Sequence, residues 1–469
     1  MIRDERPGFP MTQEMQWRFN GSFDPELLQR AFWTVVAVEP LCCATVQRRF
    51  GRYYWDLGSK TKPEFEITNK ENSDSAPPRS GYIRLSKIDI TKQPGLRVRI
   101  ECGNGEFTVF ISIHHAVADG IGITRFVGAW FAVYRRFRDG NNDVADLLPD
   151  PSLFFERENL HFVPPEPISS WNLLCGTAKE IYKWFCRRPI PLAPLACSEP
   201  TQESCCPVLN DQESSLEPPG QAVREDSLSS SLPILYWTIL PVSFLNYYKQ
   251  RSATEKQSFN TLILTDMYFA LQKWVQKRKG KIRFRKNSFF RFLVPMSVRS
   301  PNHSRLPMAN LLGYVFLDLP PIPTETKQGV AAGVEETIRF AQKWLSGTIF
   351  LEGVRFFRRI PLLLSFITSS LFCHCSIVFS NPGVLGRFFE FPPFREAKTI
   401  RIDGELELVQ IAGAPPVRPN TPISIGLIST GGEMTLSACL DERSFSYDAF
   451  LNFLDEYLAQ AERIPFKVN

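Results

Sequence analysis

Residues 96–138 constrain the fold more than any other stretch. Leu96, Val98 and Ile100 alternate with Arg97, Arg99 and Glu101, Gly103-Asn104-Gly105 turns the chain, and Phe107, Val109, Ile111 and Ile113 alternate again. Period-two alternation across a glycine turn predicts a half-buried hairpin. Its second strand runs directly into His114-His115, and an aromatic helix is expected over about Gly122–Phe137, carrying Phe126, Trp130, Phe131 and Tyr134. A sheet face and a helix stripe that are both apolar must cover one another, so this segment commits the chain to a layered α/β architecture.

The rest of the chain repeats that mixture. Asp24 caps a helix with Pro25 at its first position, and Leu28, Ala31, Phe32 and Val35 follow at helical spacing. Trp171–Arg188 reads as a helix, and residues 197–233 as a flexible linker in which Ser, Glu, Gln and Pro dominate. Strands are expected at Ile234–Leu240, Lys281–Arg285 and Phe289–Pro295, and helices at Ser258–Val275 and Ser446–Glu462. Ile423–Leu427 and Met434–Leu440 pair across Gly431-Gly432. Since both halves mix strands and helices, the expected organisation is two α/β lobes, 1–196 and 234–469, joined by the linker.

Composition removes several function classes. Lys plus Arg number 54 against 49 Asp plus Glu, a net charge of +5, too weak a bias for a nucleic-acid binder. The dense basic run Lys277–Lys286 reads either as a solvated turn and edge strand or as a docking patch for phosphate, a carrier protein or anionic lipid. Eleven cysteines without repeated spacing, and no signal-like N-terminus, point to reduced thiols in the cytoplasm. Cys373-His374-Cys375 lacks a second ligand pair, so no metal is expected and the triplet reads as core or strand filler. Ile360–Ser380 carries no Asp, Glu, Lys or Arg, but its Ser and Thr content favours a buried or interfacial helix over 360–372, then a buried strand, over a spanning helix. Trp171–Arg188 and Val354–Phe372 both combine apolar faces with terminal arginines, a pattern suited to lying on a membrane surface as well as to packing on the core. Phe is in surplus, 38 of 469 residues.

The chemistry concentrates in His114-His115-Ala116-Val117-Ala118-Asp119-Gly120. A neutral imidazole is a suitable general base near pH 7, Asp119 can hold the turn, and Gly120 is expected to supply backbone geometry that other residues resist. By residue types alone, a capped turn with a structural His pair fits equally.

His-His-x-x-x-Asp-Gly resembles the signature of the chloramphenicol-acetyltransferase-like superfamily, which includes nonribosomal-peptide condensation domains, alcohol acetyltransferases and wax ester synthase/diacylglycerol acyltransferases. The resemblance runs nearly the whole chain: Phe23-Asp24-Pro25-Glu26-Leu27-Leu28 looks like the family's first helix and Val294–Arg299 like its second-lobe strand and arginine. Ser380-Asn381-Pro382-Gly383 is similar to its Ser-Asn-Leu-Gly turn, and Met308-Ala309-Asn310 stands where Gly-Asn is usual. Ala309 and Pro382 depart from the pattern, and no Asp-Phe-Gly-Trp-Gly is present.

The resemblance implies two acetyltransferase-like lobes in a V-shaped pseudo-dimer with a tunnel between them. It implies His115 as general base, His114 as its motif neighbour, the backbone at Gly120 as an oxyanion donor, and Asp119 turned from substrate toward a second-lobe arginine, here Arg299. Asn310 and Asn381 are expected as structural support. The expected reaction is acyl transfer from acyl-CoA, a co-substrate rather than a bound cofactor, to a hydroxyl of a hydrophobic alcohol. Two alternatives stand beside it: a condensation enzyme using an acyl carrier protein, with an amine acceptor allowed, and a degenerate non-catalytic binding protein. A monomer, cytoplasmic or peripheral on a membrane, is expected. The resemblance also implies that the Phe clusters at 289–292 and 350–394 line the tunnel or rim its mouth.

Overall fold

The computed structural model of the chain describes residues 2–59, 61–69, 79–103, 105–158, 186–192, 232–277, 284–285, 287–299, 303, 305–322, 325–343, 346–360, 363–385, 400–402, 406–430 and 432–460, with isolated positions at 169, 171, 175, 178, 182 and 183. The chain runs β1 (Thr12–Asn20), α1 (Pro25–Val36), β2 (Thr45–Arg49), β3 (Arg52–Asp56), β4 (Glu64–Asn69), β5 (Ser80–Arg84), β6 (Leu96–Gly103), β7 (Glu106–His114) and α2 (Gly120–Arg138). It continues through β8 (Arg188–Pro189), β9 (Ile234–Leu240), α3 (Val242–Glu255), α4 (Phe259–Lys277), β10 (Ser288–Ser297), β11 (Leu312–Leu319), α5 (Lys327–Lys343), α6 (Ser346–Arg359) and α7 (Leu363–Ile367). β12 (Ile377–Val384), β13 (Ile400–Arg401), β14 (Glu407–Gly413), β15 (Ile423–Thr430), β16 (Glu433–Leu440) and α8 (Tyr447–Gln460) complete it.

Two sheets organise these elements. A six-stranded sheet has the order β13-β14-β1-β7-β6-β4. The larger has the order β11-β10-β12-β15-β16-β9-β5, with β8 beside β10. The predicted hairpin is β6–β7, paired from Leu96↔Ile113 to Gly103↔Glu106. Its alternation sends Val98, Ile100, Val109 and Ile111 into a core shared with α1 and α2. There Phe19 stacks on Phe131 with ring centroids 4.5 Å apart, and the Trp130 indole N–H reaches the Leu28 carbonyl at 2.9 Å. Asp24 caps α1 by accepting from the Glu26 and Leu27 N–H groups. The second core packs α4 and α8 on the larger sheet through Trp274, Phe450, Phe453, Phe290 and Phe292.

The sheets do not divide where the linker falls. β5, early in the chain, joins the larger sheet beside β9, and β14, late in the chain, joins the first sheet beside β1. The larger sheet thus takes one strand, β5, from the first half, and the first sheet takes two, β13 and β14, from the second.

Several expectations need correction. The single helix expected over 360–372 does not form. α6 ends at Arg359, ahead of Pro361, and α7 is only five residues long; a proline leaves the residue before it poorly suited to helix. Ser380–Gly383 is not a free turn but a register shift inside β12, between pairs Ser380↔Gly426 and Gly383↔Ile428. Cys373-His374-Cys375 precedes β12, so of its two expected roles the core one holds: Cys375 is buried with Leu293, Phe316 and Val378. Phe290 and Phe292 are core residues, since the pleat turns them toward the helices and not toward the tunnel. Phe284 and Arg285 belong to no strand, and the rest of the expected strand, residues 281–283, lies outside the described residues. So do residues 197–231 of the expected linker, most of the expected helix 171–188, and Phe residues 388–394.

Candidate active site

β7 ends at His114, and α2 begins at Gly120 with Asp119 as its N-cap. The intervening turn is held from several sides. The His115 N–H donates to the Met11 carbonyl at 2.7 Å, the Val117 N–H to the His114 carbonyl at 2.8 Å, and the Asn310 side-chain amide to the His115 carbonyl at 2.7 Å.

The two histidines have opposite fates. His114 is fully buried; its Nδ1 accepts the Ala116 N–H, and Nε2 faces the Glu5 carboxylate at 3.3 Å. It is a structural residue. His115 is 5% exposed and lines a cavity of about 1160 Å³ between the lobes. Its Nδ1 is 3.1 Å from the Ala118 carbonyl, an acceptor, so Nδ1 carries the proton and Nε2 keeps its lone pair. Burial drives the His115 pKa down to about 4, against the pull of the Asp119 charge. At neutral pH the ring is therefore an uncharged base with one nitrogen left for the cavity.

Asp119 turns away from the cavity. Arg299, just past β10, grips it with two bonds, Nη1 to Oδ2 at 2.8 Å and Nη2 to Oδ1 at 2.9 Å. The Gly122 and Leu311 N–H groups each add a bond of 2.8 Å. Burial would raise the Asp119 pKa, but the guanidinium and the two backbone donors outweigh it and hold the carboxyl below its ordinary value. Arg299 also donates to the Ala309 carbonyl at 2.8 Å. The segment Met308–Leu311 is thus stitched into the first lobe at every residue: the Met308 N–H donates to Glu39 at 2.6 Å, the Ala309 carbonyl accepts the Asp119 N–H at 3.4 Å, Asn310 holds His115 and Leu311 holds Asp119.

Gly120 has no left-handed φ, contrary to the conformational reason expected for it. A Cβ there would meet only the Gln13 amide, at 3.9 Å. Its bareness instead leaves the first turn of α2 open to the cavity that it lines. Gly122 is the crowded position, where a Cβ would sit 3.0 Å from the Ala309 carbonyl. Asn381 is distant in its bonding from the histidine loop; it donates to Asn260 at 2.7 Å and accepts the Gly383 N–H at 2.9 Å, bracing the irregular part of β12 where both asparagines line the cavity.

Three residues escaped sequence reading. Glu39 is buried, and burial pushes its pKa up to about 8 against the Met308 N–H; no local pattern marks a glutamate after a helix as an inter-lobe acceptor. Gly122 stands among three helix-starting residues that all tolerate glycine. Gln13, on the inner strand β1, is 7% exposed, and its Oε1 has no hydrogen-bond partner among the described residues. A buried polar residue in a strand of alternating pattern was the available signal. Among the described residues no cluster of three or more His, Cys, Asp or Glu could hold a metal ion, and no helix is long and apolar enough to cross a membrane.

No protein-family model matches the chain, and no curated protein matches it in sequence. Solved structures match its fold over nearly the full length. They include the first condensation domain of the calcium-dependent antibiotic synthetase, at TM-score 0.62 and 14% identity over 97% of this chain and 92% of that one. SgcC5 protein from Streptomyces globisporus, in complex with a naphthyl-ethanediol, matches at 0.57 and 15% over 98% and 93%. Polyketide synthase associated protein 5 from Mycobacterium tuberculosis matches at 0.52 and 14% over 96% and 94%. The chain has the condensation-domain fold, two acetyltransferase-like lobes in a mixed α/β architecture.

Proposed function

We propose that the protein transfers an acyl group from a thioester, acyl-CoA in the first instance, to a hydroxyl of a hydrophobic acceptor. The observation that carries this reading is His115: neutral, buried, its Nε2 left for a cavity shared by both lobes. Nε2 takes the acceptor's O–H proton as the oxygen attacks the thioester carbonyl. The carbonyl electron pair moves onto its oxygen, near the N-terminal N–H groups of α2, whose partial positive charge opposes the new negative one. Collapse breaks the C–S bond, the thiolate takes the proton back from His115, and ester and thiol leave. Asp119 touches no reacting atom; with Arg299 it holds the loop.

Apolar walls favour an apolar acceptor. Leu293, Val315, Phe350, Leu351, Val354 and Phe357 all face the cavity. A fold relative in complex with an aryl diol supports a hydroxyl as the nucleophile. The direct assay mixes the protein with octanoyl- or palmitoyl-CoA and long-chain or terpenoid alcohols, following free thiol and ester mass. Thiol release coupled to ester formation is expected; a protein inert with every donor–acceptor pair, carrier-bound thioesters and amines included, is a binding protein instead.

The cavity's outer wall supports a membrane as the acceptor's source. α6 presents Phe350, Val354 and Phe357 to the cavity while Phe356, at 57%, is exposed. Beyond it Ile360, Phe366, Leu371 and Phe372 are 39–80% exposed, with Arg358 and Arg359 alongside. An apolar surface edged by arginines fits an anionic bilayer, from which a greasy alcohol enters the cavity. Flotation with vesicles containing phosphatidylserine should carry the protein upward, and the Phe366→Asp/Leu371→Asp pair should leave it at the bottom. A wild-type protein that ignores the vesicles removes this part of the reading.

A further inference from the structure

β1 lies beside β7 with Thr12 opposite His114 and Gln13 opposite Ile113. The Gln13 side chain is therefore delivered next to the catalytic loop, two residues along the strand from the Met11 carbonyl that holds the His115 N–H. It lines the same cavity as His115 and Gly120, and its Nε2 is 3.9 Å from the place a Gly120 Cβ would take. It is more than nine-tenths buried, and its Oε1, itself shielded from solvent, finds no donor among the described residues. Buried acceptors are ordinarily satisfied, and one left bare is destabilising. Met11 and Met15 line the cavity from the same strand face, so an apolar side chain would fit the site between them. A buried amide kept there instead points to a ligand bearing an N–H or O–H donor.

The acceptor's hydroxyl proton is committed to His115, which leaves the donor substrate to supply that group. The arm of coenzyme A, and the same arm on a carrier protein, has a secondary amide N–H two carbons from the thioester sulfur. Resting on the acyl-transfer reading above, we propose that Gln13 is a binding and positioning residue for the thioester arm. With the amide turned over so that Oε1 takes the place Nε2 holds beside Gly120, it accepts the arm's amide N–H, and this bond sets the thioester carbonyl against His115 and the open first turn of α2. Gln13 offers a donor and an acceptor on one planar group, the match for a secondary amide. No bond is made or broken at Gln13; its effect is on the placement of the carbonyl carbon.

The test needs no turnover. N-(2-octylthioethyl)acetamide carries the arm's amide on an unreactive thioether, and 2-(octylthio)ethyl acetate replaces the N–H by an ester oxygen. Calorimetric titration of the wild-type protein should give about tenfold or greater preference for the amide. Gln13→Met, close in volume and unable to accept, should bind both alike, and Gln13→Glu, which keeps an acceptor oxygen, should restore the preference. Equal binding by the wild type, or a preference that survives in Gln13→Met with an unchanged unfolding midpoint, overturns the assignment. Neither result bears on whether His115 is a base, which the thiol-release assay reads separately. Competition between S-octyl-CoA and S-octyl acyl carrier protein then separates the two sources of the arm.

Discussion

His115→Ala should lower kcat by about 10²- to 10⁴-fold, the usual worth of a positioned general base. The effect should fall on kcat more than on KM, because His115 acts on the moving proton and not on a binding contact. His115→Asn is the sharper variant: its amide can still reach the Ala118 carbonyl, so the loop is kept while the base is lost. If His115→Asn retains near wild-type turnover, His115 is not the base. The pH profile carries a second check. With its pKa near 4, His115 is unprotonated throughout the neutral range, so kcat/KM should show no acidic limb near 6.5 and should decline only as pH falls toward 4. A limb at pH 6–7 that disappears in His115→Asn would contradict the buried, neutral ring. The depressed pKa also couples to stability. Unfolding lets His115 take up a proton near its ordinary 6.5, so its contribution to stability is intact above that pH and is lost progressively between 6.5 and about 4.

Asp119→Ala should destabilise the fold by about 3–5 kcal/mol, the cost of leaving a buried partner uncompensated. Arg299 is 8% exposed at its side chain and Asp119 not at all, so water cannot replace the lost partner. Thermal unfolding should drop by several degrees, and Arg299→Ala should do the same. Since the two residues form one bidentate unit, the double variant should cost less than the sum of the singles. Arg299→Lys should not rescue fully, because a single ammonium cannot reproduce the two-bond grip. Additive costs, or an Asp119→Ala protein as stable as wild type, would show that the pair does not tie the lobes. Activity should fall as well, through the loop: Asp119 N-caps α2, and the Leu311 N–H that it accepts adjoins Asn310, which holds the His115 carbonyl.

Some of this was legible from residue order. Alternation in Leu96–Ile113 predicted β6 and β7, the Asp24-Pro25 pair predicted the start of α1, and the apolar spacing from Ser446 onward predicted α8, which starts at Tyr447. These are local signals, carried by side-chain period and capping chemistry within a few residues. The stretch 360–376 failed on the same principle: a long uncharged run states burial but not period, and only Leu363–Ile367 of it is helix α7. The Phe surplus divided likewise. Phe126 and Phe131 filled the first core, Phe290 and Phe292 the second, while Phe350 and Phe357 reached the cavity and Phe356 and Phe366 the surface.

Residue order by itself determined the candidate turn: a strand running into His114-His115, an Asp able to cap the next helix, and an arginine following a second buried strand. Only the tertiary structure decided what those residues do. It set Nδ1 against the Ala118 carbonyl and so chose the tautomer. By desolvation it made His115 a neutral base, and it brought Arg299 from 180 residues away onto Asp119. It sent β5 to the larger sheet and β13 and β14 to the first, placed Asn381 with Asn260 instead of the histidine loop, and left the buried Gln13 carbonyl without a donor among the described residues. The physical reason is range. Side-chain period and capping act within one or two turns of chain, whereas sheet edges, burial and ion pairing depend on whatever distant segment arrives alongside.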